Sequence, residues 1–358
     1  MVQLHEKYGD IVRIVLAEYC IRIQTYVDQL EGHLAKTSGR SVGVTDLFNW
    51  FSFDIMGDLA LGTSFNMLLN SEWHFSMSLL RGFMSLLGLI SPVPWLAHIL
   101  ISVPGATREW NRTVQYCKSR MVERIESGVE KLDVCHWLID HSLHNESIEE
   151  DMPILYGDAI SLIIAGSETV GITLTWLFFN IVQHPEHQQK IREELKEVQN
   201  VNDPKLLTEL PHLNAVINET LRLFPPVPTG GLRETGSNGM QLGDIWIPPA
   251  TIVSVPRYVV SRLDKYFPEG GSFIPERWYS RPELIRDKRA FEPFSQGRYG
   301  CIGKQLALAE LRLVVARLVS KYEIEFASGE DGTRVFAGIK DHFTAPPGNL
   351  NLVFHTLE

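Results

Sequence analysis

Apolar residues recur at every third or fourth position along most of this chain, which is the spacing of one face of an amphipathic helix. The first long run, Val15 to Lys36, places on a common face Tyr19, Ile23, Tyr26, Val27, Leu30 and Leu34. The same spacing predicts helices over residues 45–62, 71–91, 106–128, 154–182, 185–198, 213–224 and 304–321. Thr45 or Asp46 is expected to cap the helix at 45–62, and Gly62 is expected to end it. A capping box at 147–150 is expected before the helix at 154–182.

Short runs rich in β-branched and aromatic residues predict a few strands. One strand is expected within residues 4–14, after a turn at Gly9-Asp10. A small sheet is expected from residues 232–235, 245–248 and 252–255, and a hairpin-like pair from 322–326 and 351–354. Residues 261–293, rich in Pro, Gly and basic residues, predict a long irregular connection. Long loops of this kind are uncommon unless they have a function. The whole pattern indicates a mainly α protein with small β-sheets.

Composition narrows the classes of protein that fit this pattern. The 358 residues are 44% hydrophobic, which allows a large buried core, and the formal net charge of −10 gives no indication of nucleic-acid binding. The cysteines match neither a disulfide framework nor a zinc pattern, so a reducing compartment is expected. They are Cys20, Cys117, Cys135 and Cys301.

Nothing in the pattern predicts a signal peptide or a transmembrane anchor, since residues 1–10 are polar. The apolar run at 85–103 is interrupted by Gly88, Pro92, Pro94 and His98. It is predicted to be a core helix that ends in a proline-rich turn rather than a membrane-spanning helix. A surface that dips into a membrane stays open as an alternative.

The most informative stretch is Phe294 to Gly303, F-S-Q-G-R-Y-G-C-I-G, which sets Cys301 in a glycine-rich loop just before a predicted helix. Free N–H groups and the helix dipole stabilise a thiolate at such a position. Gly297, Gly300 and Gly303 are expected to turn the backbone with positive φ and to let it approach a flat ligand. A thiolate on this kind of loop suits an axial ligand of haem iron.

The same loop has two other interpretations. A lone cysteine is most often a buried structural residue. A phosphate-binding P-loop is excluded, because Gly303-Lys304 is followed by Gln305 instead of Ser or Thr.

The apolar helix at 154–182 contains the polar segment A-G-S-E-T at 165–169. An acid in such a run is costly to bury without a task. Gly166 is expected to thin the helix where a flat ligand passes, and Thr169 to bond back to its own helix and bend it. Glu168 and Thr169 are then placed to relay protons. The alternative is an incidental polar patch.

A third motif pairs Glu219 with Arg222 on one face of the helix at 213–224, which stops at Pro225-Pro226. Because this helix is largely apolar, the pair is expected to be buried. The alternative is a surface ion pair of little energetic value. Further upstream, His184 and His187 are predicted to lie at a surface helix start rather than in a metal site.

Together these motifs resemble the cytochrome P-450 family, the haem-thiolate monooxygenases, on F-S-x-G-x-x-x-C-x-G, A-G-S-E-T and E-x-x-R with P-E-R-W. The resemblance implies a single P-450 domain over residues 1–358 with its haem-binding loop at 294–303. It implies haem b, with Cys301 as the iron ligand and Glu168 and Thr169 as catalytic proton carriers. The further residues expected to bind the cofactor are Ala165, Gly166, Arg233, Phe294, Gly297, Arg298, Tyr299 and Gly303. Glu219, Arg222 and Arg277 take a structural role.

Two departures from the family refine this picture. Tyr299 stands where Arg or His usually binds a haem propionate, so Arg298 is expected to compensate, and the variant resembles fungal microsomal members. Part of the N-terminal sheet and the early helices that cover one side of the haem are not identifiable. The chain therefore resembles an N-terminally shortened member.

The resemblance implies insertion of one oxygen atom of O₂ into an apolar organic substrate, in fungal secondary metabolism. Electrons would come from an NADPH-cytochrome reductase with an acidic docking surface. A group of basic residues either forms the docking patch for this reductase or, with equal weight, is ordinary surface charge. The patch would comprise Arg281, Arg286, Lys288, Arg289, Arg298 and Lys304. The expected location is the cytosolic face of the endoplasmic reticulum or the cytoplasm. Three alternatives stay open: a catalytically impaired truncated member, a haem-thiolate isomerase or dehydratase, and a non-catalytic haem-binding protein.

Overall fold

The computed structural model describes residues 11–90, 107–126, 133–144 and 148–357, with isolated positions between 95 and 105. Its helices are α1 (Ile11–Lys36), α2 (Val44–Leu61), α3 (Met67–Asn70), α4 (Phe75–Ile90), α5 (Arg108–Glu126), α6 (Val134–His144), α7 (Ile148–Gln183), α8 (Pro185–Lys196), α9 (Pro204–Thr208), α10 (Pro211–Leu223), α11 (Arg257–Val260), α12 (Lys304–Lys321) and α13 (Thr333–Ala337). The predicted turn at Gly9-Asp10 and the capping residue Ser147 lie outside the described residues. The mainly helical architecture is confirmed.

Helix α1 begins earlier than the sequence pattern indicates. Residues 11–14, which were predicted to be a strand, belong to this helix. A short apolar run such as Ile11 to Val15 does not distinguish strand from helix by periodicity, and the helical run behind it extends into it. The predicted inner face of α1 is confirmed, because all six of its residues are buried: Tyr19, Ile23, Tyr26, Val27, Leu30 and Leu34.

Helix α2 ends as predicted but begins differently. Gly62 follows its last residue with φ of 70° and donates its N–H to the Asp58 carbonyl. Thr45 is not the cap, because its hydroxyl donates to the Gly348 carbonyl at 3.1 Å and accepts the Leu350 N–H at 2.9 Å. The Thr45 hydroxyl, which the local sequence pattern assigned to the N-terminal cap of α2, therefore bonds the C-terminal segment instead.

Helix α7 runs through the middle of the molecule and packs along α2. Two glycines allow the close approach: a Cβ on Gly171 would lie 2.7 Å from Asn49 Oδ1, and one on Gly166 would lie 2.6 Å from Met56 Sδ. Ser52 Oγ also donates to the Ser167 carbonyl at 2.7 Å. One apolar cluster joins α1, α8, α10, α12 and the second half of α7, and another joins α4, α5, α6 and the first half of α7.

The strands are β1 (Ser41–Gly43), β2 (Arg233–Glu234), β3 (Met240–Leu242), β4 (Ile245–Ile247), β5 (Ile252–Val253), β6 (Tyr322–Phe326) and β7 (Asn351–Thr356). Strand β7 lies between β1 and β6 in an antiparallel sheet, so the predicted C-terminal pair gains a third strand. The single small sheet expected from residues 232–255 is instead two separate pairs, β2 with β5 and β3 with β4. The turn at Gly243, with φ of 57°, closes β3 and β4 into their own hairpin.

Among the described residues, one helix is long and apolar enough to cross a bilayer by length and composition. It is α7, over Glu149–Gln183 at a mean hydropathy of 1.6, and 72% of its apolar window is buried inside the protein. Burial to that extent is the property of a core helix.

Candidate active site

Cys301 lies in a compact loop immediately before helix α12. Its N–H donates to the Phe294 carbonyl at 2.8 Å, across a 3₁₀ turn at Gly297–Tyr299. Its side chain is exposed, whereas the other three cysteines of the chain are buried. Burial raises the pKa of Cys20 and Cys117 to about 11 and that of Cys135 to about 12, which leaves them inert thiols. Cys301 is therefore the accessible thiol of this chain.

The glycines of the loop act in different ways from one another. Gly297 has φ of 66°, as expected, but Gly300 and Gly303 have φ of −60° and −83°, so the expected positive φ is wrong for both. Ser295 takes the other left-handed position, with φ of 58°. Gly300 is needed for space, since a Cβ there would lie 3.2 Å from the Gly297 carbonyl oxygen.

Cationic and aromatic side chains border the cysteine loop. The Arg233 guanidinium lies 4.8 Å from the centroid of the Tyr299 ring, and that of Arg298 lies 5.9 Å from it. Tyr299 itself is 65% exposed. Tyr299 stands at a position where a basic residue is expected, and two guanidinium groups flank the tyrosine ring instead.

Arg257 is a site residue that the sequence analysis missed. It is half-buried, and its side chain makes no hydrogen bond or ion pair with another described residue. Burial lowers its pKa, and the charges of Glu292 and Arg233 and the Cys301 thiol also act on it. The sequence contains one signal that could have identified Arg257, because it is the one charged residue between Ile245 and Ser261.

The middle of α7 exposes a narrow face of an otherwise buried helix. Ser161 and Ala165 are exposed and Thr169 is partly exposed, four residues apart. Thr169 Oγ1 donates to the Ala165 carbonyl at 2.7 Å, which is the predicted back-bond. Gly166 does not thin this face as expected, because Met56 fills the space where its side chain would be.

Glu168 is 7% exposed and has a partner that the sequence analysis did not identify. Its Oε2 accepts the hydroxyl hydrogen of Thr344 at 2.6 Å. The carboxyl group also borders a cavity of about 380 Å³. The polar residues that line this cavity include Arg81, Ser85, Arg334, Lys340 and His342. A buried acid thus meets a polar cavity on one side and a hydroxyl on the other.

The acid–base motif of α10 is fully buried. Glu219 accepts hydrogen bonds from Arg222 at 2.7 and 2.9 Å, from Arg277 Nε at 2.9 Å and from Trp278 Nε1 at 2.9 Å. The remaining donors of the two guanidinium groups bond main-chain carbonyls of residues 261–284. One carboxylate between two guanidiniums is well compensated, so the group fixes α10 against the connection to the cysteine loop.

These residues fit a haem. A haem needs a thiolate or imidazole for its iron and cations for its propionates. Cys301 offers an accessible sulfur, Arg257 is a half-buried cation without a partner among the described residues, and Ala165 lies on an open face of an apolar helix.

Comparison with known proteins gives a consistent family. The pattern of the family described as Cytochrome P450 matches residues 15–354. Cytochrome P450 monooxygenase notG′ of Aspergillus versicolor is 36% identical over 92% of this chain and 61% of its own length. Cytochrome P450 monooxygenase sthD of Phaeosphaeria nodorum is 36% identical over 96% of this chain and 74% of its own length. Tryprostatin B 6-hydroxylase of Aspergillus fumigatus is 34% identical over 85% and 55%. The chain thus spans between half and three quarters of the length of these relatives.

The fold agrees with this family. A solved structure described as the crystal structure of the cytochrome P450DA heme domain superposes with a TM-score of 0.80, at 20% identity, over 95% of this chain and 73% of that one. The expected P-450 fold is confirmed, and haem is the cofactor of the family. On the match over residues 15–354 and the relatives above 30% identity, the chain belongs to the cytochrome P450 family.

Proposed function

We propose that this chain is a haem-thiolate monooxygenase that inserts one oxygen atom of O₂ into an apolar organic substrate in fungal secondary metabolism. The observation that carries the proposal is the accessible Cys301 thiol in its hydrogen-bonded loop, together with Arg257, a half-buried cation with no partner among the described residues. The fungal relatives described as monooxygenases, and one described as a hydroxylase, support it. The chain acts as a single domain with its haem-binding loop at 294–303.

Cys301 would ligate the haem iron through its sulfur, and Arg233, Arg257 and Arg298 would hold the propionates. Phe294, Gly297, Tyr299 and Gly303 would shape the loop that presents the sulfur, Ala165 would line the cofactor site from α7, and Gly166 would support it by letting α7 pack closely on α2. When bound, haem supplies the activation of O₂, which no side chain provides.

Glu168 and Thr169 hold and move protons. Glu168 receives protons from the polar cavity that it borders, and Thr344 keeps its carboxyl group in one orientation. Thr169 donates its own hydrogen to the Ala165 carbonyl, so its oxygen lone pairs are free to accept a hydrogen bond from a water molecule that carries the proton. General acid–base groups placed in this way contribute roughly 10²- to 10⁴-fold to a rate.

The electron donor in this proposal is an NADPH-cytochrome reductase with an acidic docking surface. Several cations of the expected patch are already occupied: Arg289 pairs with Asp287 at 2.7 Å, and Arg281 lies 3.4 Å from Glu283. Of the six patch residues, Arg286, Lys288, Arg298 and Lys304 form no ion pair with a described residue, and Arg286 donates to the Asp264 carbonyl at 3.3 Å. Because Arg298 is assigned to a propionate, Arg286, Lys288 and Lys304 form the docking surface. The protein works at the cytosolic face of the endoplasmic reticulum or in the cytoplasm.

The test is the spectrum of the reduced protein with carbon monoxide. A red-shifted, thiolate-type Soret band is expected, and Cys301→Ser should abolish it while Cys117→Ser, at a buried thiol, should leave it unchanged. A protein that binds no haem would contradict the proposal and indicate an impaired family member. An imidazole-like band would contradict the ligand assignment. Turnover without reductase and NADPH would indicate an isomerase or dehydratase instead.

A further inference from the structure

Two buried histidines face each other between α8 and α10, outside the site described above. His187 Nδ1 lies 3.1 Å from His212 Nε2, and the residues are 4% and 3% exposed. The prediction that His187 lies at a surface helix start is wrong. His187, Ile191 and Leu195 share one face of α8, and that face packs into the core.

A carboxylate completes the group. Ligand atoms of His187, His212 and Glu276 all lie within 4.8 Å of one another. Glu276 belongs to the 3₁₀ turn at Pro275–Trp278, so three different elements contribute to the cluster. On its far side, His212 Nδ1 lies 3.1 Å from the Tyr279 hydroxyl.

We propose that His187, His212 and Glu276 bind a divalent transition-metal ion of the Zn²⁺ type, in a site separate from the haem. Two imidazoles and one carboxylate are a common ligand set for zinc, with one coordination position left for water. Ligand atoms at about 2.05 Å from a tetrahedral ion are roughly 3.3 Å apart. The separations of 3.1 Å and up to 4.8 Å in this cluster bracket that value, so small side-chain rotations admit the ion.

The surroundings of His212 suit a ligand. In the His212 tautomer that donates its Nδ1–H to the Tyr279 hydroxyl, the Nε2 lone pair is directed at His187, and an outer hydrogen bond of this kind orients metal-bound histidines. Within the described part of the chain, each of the two facing nitrogens is hydrogen-bonded to the other alone.

Lys190 is the competitor for this site. Its Nζ lies 2.5 Å from Glu276 Oε1, where it neutralises the carboxylate. Its side chain is 43% exposed and can move into solvent when an ion enters. The ion therefore displaces an ammonium group, and removal of that group should strengthen binding.

The site has a structural consequence. Glu276 precedes Arg277, which bonds Glu219 at 2.9 Å, so an ion would link α8 and α10 to the same turn that the buried triad holds. Binding to the folded chain raises its thermal stability by mass action.

The test is a Zn²⁺ titration of the haem-loaded protein by calorimetry. One ion per chain is expected, with affinity at least tenfold weaker in His212→Gln and Glu276→Gln, severalfold tighter in Lys190→Met, and unchanged in His184→Ala. His184 is the matched control, since it lies one turn before His187 and outside the cluster. The haem spectrum of each variant verifies its fold, and Glu276→Gln, at a partly exposed side chain, preserves shape if a histidine variant fails to fold.

X-ray absorption at the zinc edge supplies the second measurement. Nitrogen and oxygen neighbours at about 2.0–2.2 Å are expected, whereas a sulfur neighbour at about 2.3 Å would place the ion on a cysteine and overturn the proposal. Absence of saturable binding, or equal affinity in all variants, would also overturn it.

Discussion

Thr344 donates its hydroxyl hydrogen to Glu168 Oε2 at 2.6 Å, and so joins the C-terminal segment to the middle of α7. Both side chains are buried, at 3% and 7% exposure. Phe343, just before this threonine, has φ of 87°, a strained conformation for a residue with a Cβ. The turn is thus held in an unfavourable backbone geometry that presents Thr344 to the acid.

We expect Thr344→Val to slow catalysis without loss of haem. The variant keeps the shape of the side chain but removes the donor that orients Glu168, and loss of one hydrogen bond worth about 1.4 kcal/mol corresponds to about a tenfold lower rate. The measurement is the rate of NADPH oxidation with reductase, together with its solvent deuterium isotope effect, which should increase. Thr175→Val is the control, since that hydroxyl bonds only to the Gly171 carbonyl in its own helix. An unchanged rate and isotope effect would contradict the role of Thr344.

Glu219→Gln should destabilise the fold strongly. It leaves the Arg222 and Arg277 guanidiniums buried without their shared counter-charge, which typically costs about 3–5 kcal/mol of the free energy of unfolding. Urea denaturation followed by tryptophan fluorescence measures the change. Arg289→Met is the matched control, because its ion pair with Asp287 is solvent-exposed and its loss should leave the midpoint unchanged. Equal effects of the two substitutions would refute the anchoring role of the triad.

Two glycines of α7 should respond in opposite ways to alanine. Gly171→Ala is expected to lower the free energy of unfolding by about 1–3 kcal/mol, because the new Cβ meets Asn49 Oδ1 at 2.7 Å and Asn49 Cα at 3.2 Å. Gly157→Ala is expected to raise it by about 0.5–1 kcal/mol, since no described atom lies within 4 Å and alanine favours the helix. Thermal unfolding of the two variants in parallel provides the measurement. A stabilised Gly171→Ala variant would show that α2 and α7 do not pack as closely as described.

Glu310 on α12 should make the stability depend on pH. It is 1% exposed, neither carboxyl oxygen bonds a described residue, and burial raises its pKa to about 8. The folded chain therefore retains a proton that the unfolded chain releases near its ordinary pKa. The contribution of Glu310 to the free energy of unfolding is highest at pH values below that ordinary pKa, falls as the pH rises towards 8, and then levels off. The total decrease is up to about 5 kcal/mol.

The measurement for Glu310 is urea unfolding between pH 5 and 8 for the wild type and Glu310→Gln. The amide has no carboxyl proton to lose, so the difference in unfolding free energy between the two proteins should move in favour of the variant as pH rises. Parallel pH profiles would show that Glu310 is ionised in the folded protein.

Local pattern was sufficient for most of the longer helices and for the motifs on them. The periodicity of α1 reflects burial on one side, and Gly62 ends α2 because its φ of 70° favours glycine. Glu219 and Arg222 lie three residues apart on one helix, so their pairing follows from helix geometry alone.

What sequence reasoning missed depends on contacts between distant parts of the chain. Thr45 bonds residues 303 and 305 positions away, and Thr344 reaches Glu168 across 176 positions. Arg257 and His187 owe their significance to burial, which the tertiary packing determines and a local window of sequence does not contain.

The guanidinium groups of Arg222 and Arg277 hold residues 261–284 largely through main-chain carbonyls, not side chains. Every residue type carries such a carbonyl, so the path of this segment is insensitive to which amino acids occupy its solvent-facing positions. The charge and shape of its outer surface can therefore change by mutation or by design, while Cys301, which follows this segment in the chain, keeps its position.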